Sequence, residues 1–187
     1  MDNWFKCSGY KNLLVYKLAV IIFDYTSEFC QLFIPKTTRT FDQMVQAARS
    51  GKQNIAEGSL EKSDKGYIKL LGVSRASYGE LIEDYEDFLR LKKLQLWDKN
   101  DPRVLQLRRI RVFENGNLAN LPNWANEPNL QKNPEIFANL LLTLMRMECY
   151  LLDKLIRTME DKFVREGGYT EKLFKKRLQF RNKQYIS

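Results

Sequence analysis

The chain of 187 residues contains no histidine. That absence excludes Ser-His-Asp and Cys-His catalysis, histidine-ligated zinc, and the Glu-x-x-His sites of di-iron bundles. Cysteine is scarce. Cys7, Cys30 and Cys149 are too few and too scattered for a disulfide framework, and their odd number points to free thiols in a reducing cytoplasm. Long apolar runs are missing too: the longest, Ile136 to Met145, is ten residues, against the ~20 that a bilayer-spanning helix needs. Lys6 and Lys11 precede an apolar stretch, as in a secretory leader, but Lys17 and Asp24 interrupt it and no small-residue cleavage site follows. These absences predict a soluble cytoplasmic protein with no membrane partner.

What is present is globular. Hydrophobic residues make up 44% and charged residues 29% of the chain, and the length suits one core without metal or disulfide. The net charge of +8 is unevenly spread. Residues 162–187 hold eight bases against two acids, so this segment carries +6 and residues 1–161 only +2. A nearly neutral body with a basic tail suggests an anionic partner, either RNA or DNA or an acidic protein face.

The five prolines, at 35, 102, 122, 128 and 134, leave long stretches that read as helices. The first runs from about Asn12 to Phe33, with Leu14, Leu18, Ile21, Tyr25, Phe29 and Leu32 at helical spacing. The second starts at Thr40, with Gln43 completing a capping box, and stops at Gly58; Phe41, Met44, Ala48, Gly51 and Ile55 form its inner face. The third spans about Ser63 to Leu94, with Tyr67, Leu71, Ser74, Tyr78, Leu81, Tyr85 and Phe88 on one side. The fourth opens at Asn133-Pro134-Glu135 and runs to about Arg165, with Leu140, Leu144, Met147, Leu151, Leu155 and Met159 inward, until Gly167-Gly168 stops it. A short helix from Asp101-Pro102 through Arg111 presents Val104, Leu107 and Ile110. The rest of the connection, about 95–133, reads as irregular chain pinned by Leu118, Leu121 and Trp124. The predicted fold is all-α: an up-down four-helix bundle (1–166) with a long connection between the third and fourth helices, then a short basic C-terminal helix (167–187).

Few residues offer chemistry. Glu80, Glu83, Asp84 and Asp87 lie on adjacent turns of the third helix, as Mg²⁺-binding carboxylates do in helical nucleotide hydrolases. Only Glu57, Glu61 and Asp64 offer a partner set, so a solvated acidic face is the better reading. Cys149 has no histidine to activate it and reads as a small buried residue. Gly66, Gly72 and Gly79, with Ser74, Ala76 and Ser77, read as sites of close helix approach matched by Ala47, Ala48 and Gly51. In Asn54-Ile55-Ala56-Glu57-Gly58 the polar groups read as local caps. No metal and no cofactor is expected.

Several of these segments together are recognisable. Val15-Tyr16-Lys17-Leu18-Ala19, Gln43-Met44, Ala47-Ala48, Asn54-Ile55-Ala56-Glu57-Gly58-Ser59, Lys65-Gly66-Tyr67 and Ser77-Tyr78-Gly79-Glu80-Leu81 closely resemble the bacterial four-helix bundle family. That family is encoded in intervening sequences of large-subunit ribosomal RNA genes and includes the accessory variability proteins of diversity-generating retroelements. The ending Glu166-Gly167-Gly168-Tyr169-Thr170-Glu171 resembles its subgroup with a C-terminal suffix segment. The resemblance implies a homo-oligomer, typically a pentameric barrel of bundles, without catalytic activity. Its retroelement members bind a reverse transcriptase and nucleic acid through basic surfaces. The long connection and the basic tail set this chain apart from them.

The first helix carries more apolar surface between Leu13 and Phe23 than one bundle face needs, which predicts an oligomer contact unless the asparagine-rich connection covers it. The tail (Lys172, Lys175, Lys176, Arg177, Arg181, Lys183) and the short helix (Arg103, Arg108, Arg109, Arg111) together predict a phosphate-binding surface, with Phe174 and Leu178 free to dock. Three functions stay open: a non-enzymatic oligomer that handles nucleic acid, a protein-binding scaffold, and a Mg²⁺-dependent nucleotide hydrolase.

Overall fold

Four helices of twenty or more residues dominate a computed structural model that describes residues 6–112 and 117–184, with side chains from residue 9 through 182. They are α1 (Leu14–Phe33), α2 (Arg39–Leu60), α3 (Asp64–Leu91) and α6 (Pro134–Glu166). Each packs on two others: α1 on α2 and α6, and α3 on α2 and α6. A 3₁₀ turn, Lys6–Asn12, precedes α1. The protein is all-α, and among the described residues no helix is long and apolar enough to cross a membrane.

The helix starts follow local chemistry, with one correction. Ser63 caps α3 by accepting from the Gly66 amide at 3.0 Å, and Asn133 caps α6 by accepting from the Glu135 and Ile136 amides. The capping box expected at Thr40 and Gln43 is not formed. α2 instead begins one residue earlier, and the Thr38 hydroxyl donates back to the Pro35 carbonyl. Gly58 does not stop α2 either; it is buried against Tyr67, and the helix continues to Leu60. α3 ends at Leu91, three residues short of expectation, because Lys93 adopts a left-handed conformation (φ 56°) and the Leu94 amide bonds back to the Leu89 carbonyl.

Around Phe29, fully buried on α1, the core is a set of edge-on rings: Tyr85 at 4.9 Å, Phe88 at 5.0 Å and Phe137 at 5.5 Å, so one side chain ties α1 to α3 and α6. Spacing alone misplaced two inner lines. Leu14 and Leu32 are 48% and 46% exposed, and α1 instead buries Val15, Leu18, Ile22 and Phe29. On α6 the buried line includes Leu141, Met145, Glu148 and Leu152; Met147, Leu151, Leu155 and Met159 are only partly buried. α2 and α3 are joined by small residues. Tyr78 lies on Gly51, the Ser74 hydroxyl donates to the Gly51 carbonyl at 2.8 Å, and Ser50 and Ser77 share a 2.9 Å hydrogen bond. Gly72 and Gly79 take no part in that approach, since Gly72 has open space beside it and Gly79 only the end of Arg75.

The connection between α3 and α6 is more ordered than its composition suggests. It contains α4 (Pro102–Leu107), an antiparallel pair β1 (Arg111–Val112) and β2 (Leu118–Ala119), a 3₁₀ turn (Asn123–Ala125) and α5 (Glu127–Leu130). Two of its asparagines serve as cap and turn: Asn126 caps α5, and Asn120 takes a left-handed backbone (φ 60°). Val104, Leu107, Ile110, Ala125 and Leu130 are buried, and Leu118 and Leu121 face Ile21 and Tyr25 of α1 across a shallow cavity. The connection therefore covers part of the excess apolar surface of α1.

Candidate nucleic-acid interface

The tail is helix α7 (Tyr169–Gln184). Gly167 ends α6 with φ +74°, a backbone that favours glycine, and Gly168 packs so close to Phe163 that an added Cβ would stand 2.9 Å from the ring. Asp64, in the first turn of α3, anchors the root: Lys162 lies 3.6 Å and Lys172 4.0 Å from its carboxylate, and Lys172 also reaches Glu166 at 3.1 Å. Lys172 is thus occupied at the root. Lys175, Lys176, Arg177 and Arg181 are exposed and make no ion pair with any described residue. The side chain of Lys183 lies outside the described residues. Phe174 and Leu178, expected to dock, do not dock within the chain; they are 61% and 39% exposed, and Leu173 and Phe180 are exposed as well.

The arginines around α4 divide. Arg103 is bound into the fold: its guanidinium grips Asp101 at 2.8 and 3.0 Å, stacks 3.8 Å above the Trp97 ring and lies 4.0 Å from Glu135. These bonds hold the Asp101 carboxyl below the usual carboxylate range. Trp97 is itself fixed, its ring N–H donating to Glu135 and its amide to Asn139. Trp124 packs edge-on against Trp97 at 5.7 Å and donates to Gln106. Arg103 therefore pins the connection, whereas Arg108, Arg109 and Arg111 are exposed. Arg108 lies beside Arg146 of α6, while the tail is rooted at Glu166. That is twenty residues of helix, about 30 Å at 1.5 Å per residue.

Other candidate residues are structural or solvated. Glu80, Glu83 and Asp87 are exposed, Asp87 pairs with Arg90, and Glu86 pairs with Arg146 at 2.6 Å. Partial burial, then Asp87 and Glu80, raise the Asp84 carboxyl above its ordinary value. No group of three or more acids or cysteines among the described residues is placed to hold a metal ion. Burial pushes the Cys30 thiol up to about 12 and that of Cys149 to about 11, the opposite of what a nucleophile needs. Asn54 donates one turn back, to the Ser50 carbonyl at 2.8 Å and hydroxyl at 3.1 Å.

Two features escaped the sequence reading. Glu148 is fully buried without a hydrogen-bond partner among the described residues, and the hydroxyl of Tyr78 is likewise buried and unpartnered. The signal was available: Leu141, Met145, Glu148 and Leu152 are spaced 4, 3, 4, which puts an acid on an apolar line. The second is Arg146, set one turn before Tyr150 on the outer side of α6. Comparison of the chain with family models, curated proteins and solved structures gives no match.

Proposed function

We propose that this protein is a non-enzymatic, self-associating up-down four-helix bundle that holds nucleic acid through the phosphate backbone. The observation that carries this reading is α7, where Lys175, Lys176, Arg177 and Arg181 stand in solvent with no acid answering them. The bundle topology is supported by the short links 34–38 and 61–63, which favour antiparallel neighbours. Five copies is the number implied by the family resemblance. Apolar surface for self-association remains on Leu32, Leu60 and Val73, each more than two-fifths exposed.

Light scattering coupled to size exclusion, recorded at the nucleic-acid and protein absorbance maxima, tests both halves. A monomer at micromolar concentration refutes the assembly. If those four bases each neutralise one phosphate, affinity should fall with salt at a log–log slope of about −3.6 on duplex and about −2.8 on single strands. Changing all four to glutamine should abolish that slope. A second reading rests on Leu173, Phe174, Leu178 and Phe180, which are 39–65% exposed on the same helix and fit a protein partner. Absence of nucleic-acid binding at low salt decides for that partner.

A further inference from the structure

The outer side of α6 meets α4 and the first turn of α1 in a cavity of about 480 Å³. Its floor and walls are Leu14, Val104, Met147 and Leu151, with Tyr150 at the edge. Leu14 is 48% and Tyr150 65% exposed, so the cavity presents unspent apolar surface to solvent. A volume of this size lies within the range of small-molecule sites.

Two arginines stand at its border. Arg108 and Arg146 line this cavity and also the adjoining depression formed with Leu96, Trp97, Asp98 and Lys99, so the two guanidiniums mark the border between an apolar and a polar space. Arg108 makes no ion pair with any described residue. Arg146 gives one terminal nitrogen to Glu86 at 2.6 Å, and its other donors have no partner among the described residues. Trp97 and Arg103 hold this end of the connection rigid through the Asp101 and Glu135 contacts, so the α4 side of the mouth is built before any ligand arrives.

We propose that this groove binds a small amphiphile, with an alkyl chain lying on Leu14, Val104, Met147 and Leu151 and an anionic head held by Arg108 and Arg146. Apolar contact supplies affinity along the chain, and the paired guanidiniums select charge and sign at its end. Carboxylate and phosphate heads share this chemistry, so the site is assigned to the class of alkyl anions. The inference is independent of the tail, α7, which is rooted at the far end of α6.

Calorimetric titration of the full chain with decanoate, decyl phosphate, decanol and decyltrimethylammonium, each below its micellar concentration, tests it. One saturable site per chain is expected for at least one of the two anions, with decanol about tenfold weaker and the cation silent. Which anion binds tighter identifies the head. Arg108→Gln should weaken the anion about tenfold and leave decanol unchanged, while Leu14→Asp, at a half-exposed position, should abolish all binding. The Lys175→Gln, Lys176→Gln, Arg177→Gln variant should bind as the parent. Equal binding of all four amphiphiles, more than one site per chain, an unchanged anion preference in Arg108→Gln, or loss of binding in the tail variant overturns the proposal.

Discussion

Tyr78 and Tyr85 sit two turns apart on the same buried face of α3, and the core treats them differently. The Tyr85 hydroxyl donates to Thr26 at 3.3 Å, and its ring belongs to the cluster around Phe29. The Tyr78 hydroxyl has no partner, its ring is pressed onto Gly51, and the nearby acid is Glu148, whose carboxyl is also unpartnered. One half of the core is apolar and satisfied. The other combines the tightest helix approach in the seam between α2 and α3 with two buried polar groups that no hydrogen bond compensates. A buried polar group without a partner costs about 1–3 kcal/mol, so the second half is stabilised by close packing and weakened by its chemistry. Four tests sharpen or break that contrast.

Phe29→Ala should have the largest effect. Removing a fully buried ring that touches four aromatic neighbours should cost about 3–5 kcal/mol, read by denaturant melts. A loss under about 1 kcal/mol would mean that the cluster collapses into the gap and that this half is less rigid than its geometry suggests. Next comes Gly51→Ala. An added Cβ would stand 2.5 Å from Cζ of Tyr78, a fully buried ring with no room to retreat, so overpacking of about 1–3 kcal/mol is expected. The same change at Gly72, which faces open space on α3, should be neutral or slightly stabilising.

Gly51 and Gly72 also show how far the sequence carries the fold. Long proline-free stretches, asparagine and serine caps and apolar spacing locate the four long helices to within a few residues, because those signals act within one or two turns. Which glycine meets a neighbouring helix depends on rotation about the helix axis. A shift of one residue turns a face by about 100°, enough to expose Leu14 and bury Val15. The connection was harder still. Its asparagines read as irregular chain by composition, yet Asn120, Asn126 and Asn133 each serve one specific turn or cap. On the candidate interface, the exposed tail follows from charge alone, but the diversion of Arg103 to Asp101 and Trp97 depends on tertiary contacts. Arg108 and Arg146 meet only through packing of α4 on α6, at a sequence distance no local pattern spans.

Glu148 gives the next effect and a pH signature. Burial raises its carboxyl well above the ordinary range, so the folded state keeps a proton that the unfolded chain has released. Where the folded state holds more protons, stability falls as pH rises; the loss begins at the ordinary carboxylate value and continues up to the raised one. Glu148→Met should therefore raise stability at pH 7 by about 1–3 kcal/mol. Glu148→Gln should remove the pH slope while leaving a polar group in the same place. A Glu148→Met variant that is less stable than the parent would show that the carboxyl has a partner, such as an enclosed water bridging it to Tyr78.

The two tyrosines themselves give the smallest effect and the most direct comparison. Tyr85→Phe removes a hydrogen bond and leaves the buried Thr26 hydroxyl without that donor, so a loss of about 1 kcal/mol is expected. Tyr78→Phe removes only an orphan hydroxyl and leaves the ring on Gly51, so it should be neutral or stabilising. Each change is a single oxygen at a fully buried ring on one helix face, which cancels most of the packing and denatured-state terms between them. The sign of the difference is therefore more informative than either value. Pairing each change with Glu148→Met completes the test: Tyr78→Phe should couple to it, because both groups are unpartnered and buried in the same half of the core, and Tyr85→Phe should add independently. Equal losses at the two tyrosines, with additivity at both, would mean that the Tyr78 hydroxyl is satisfied after all and that the two halves of the core are alike.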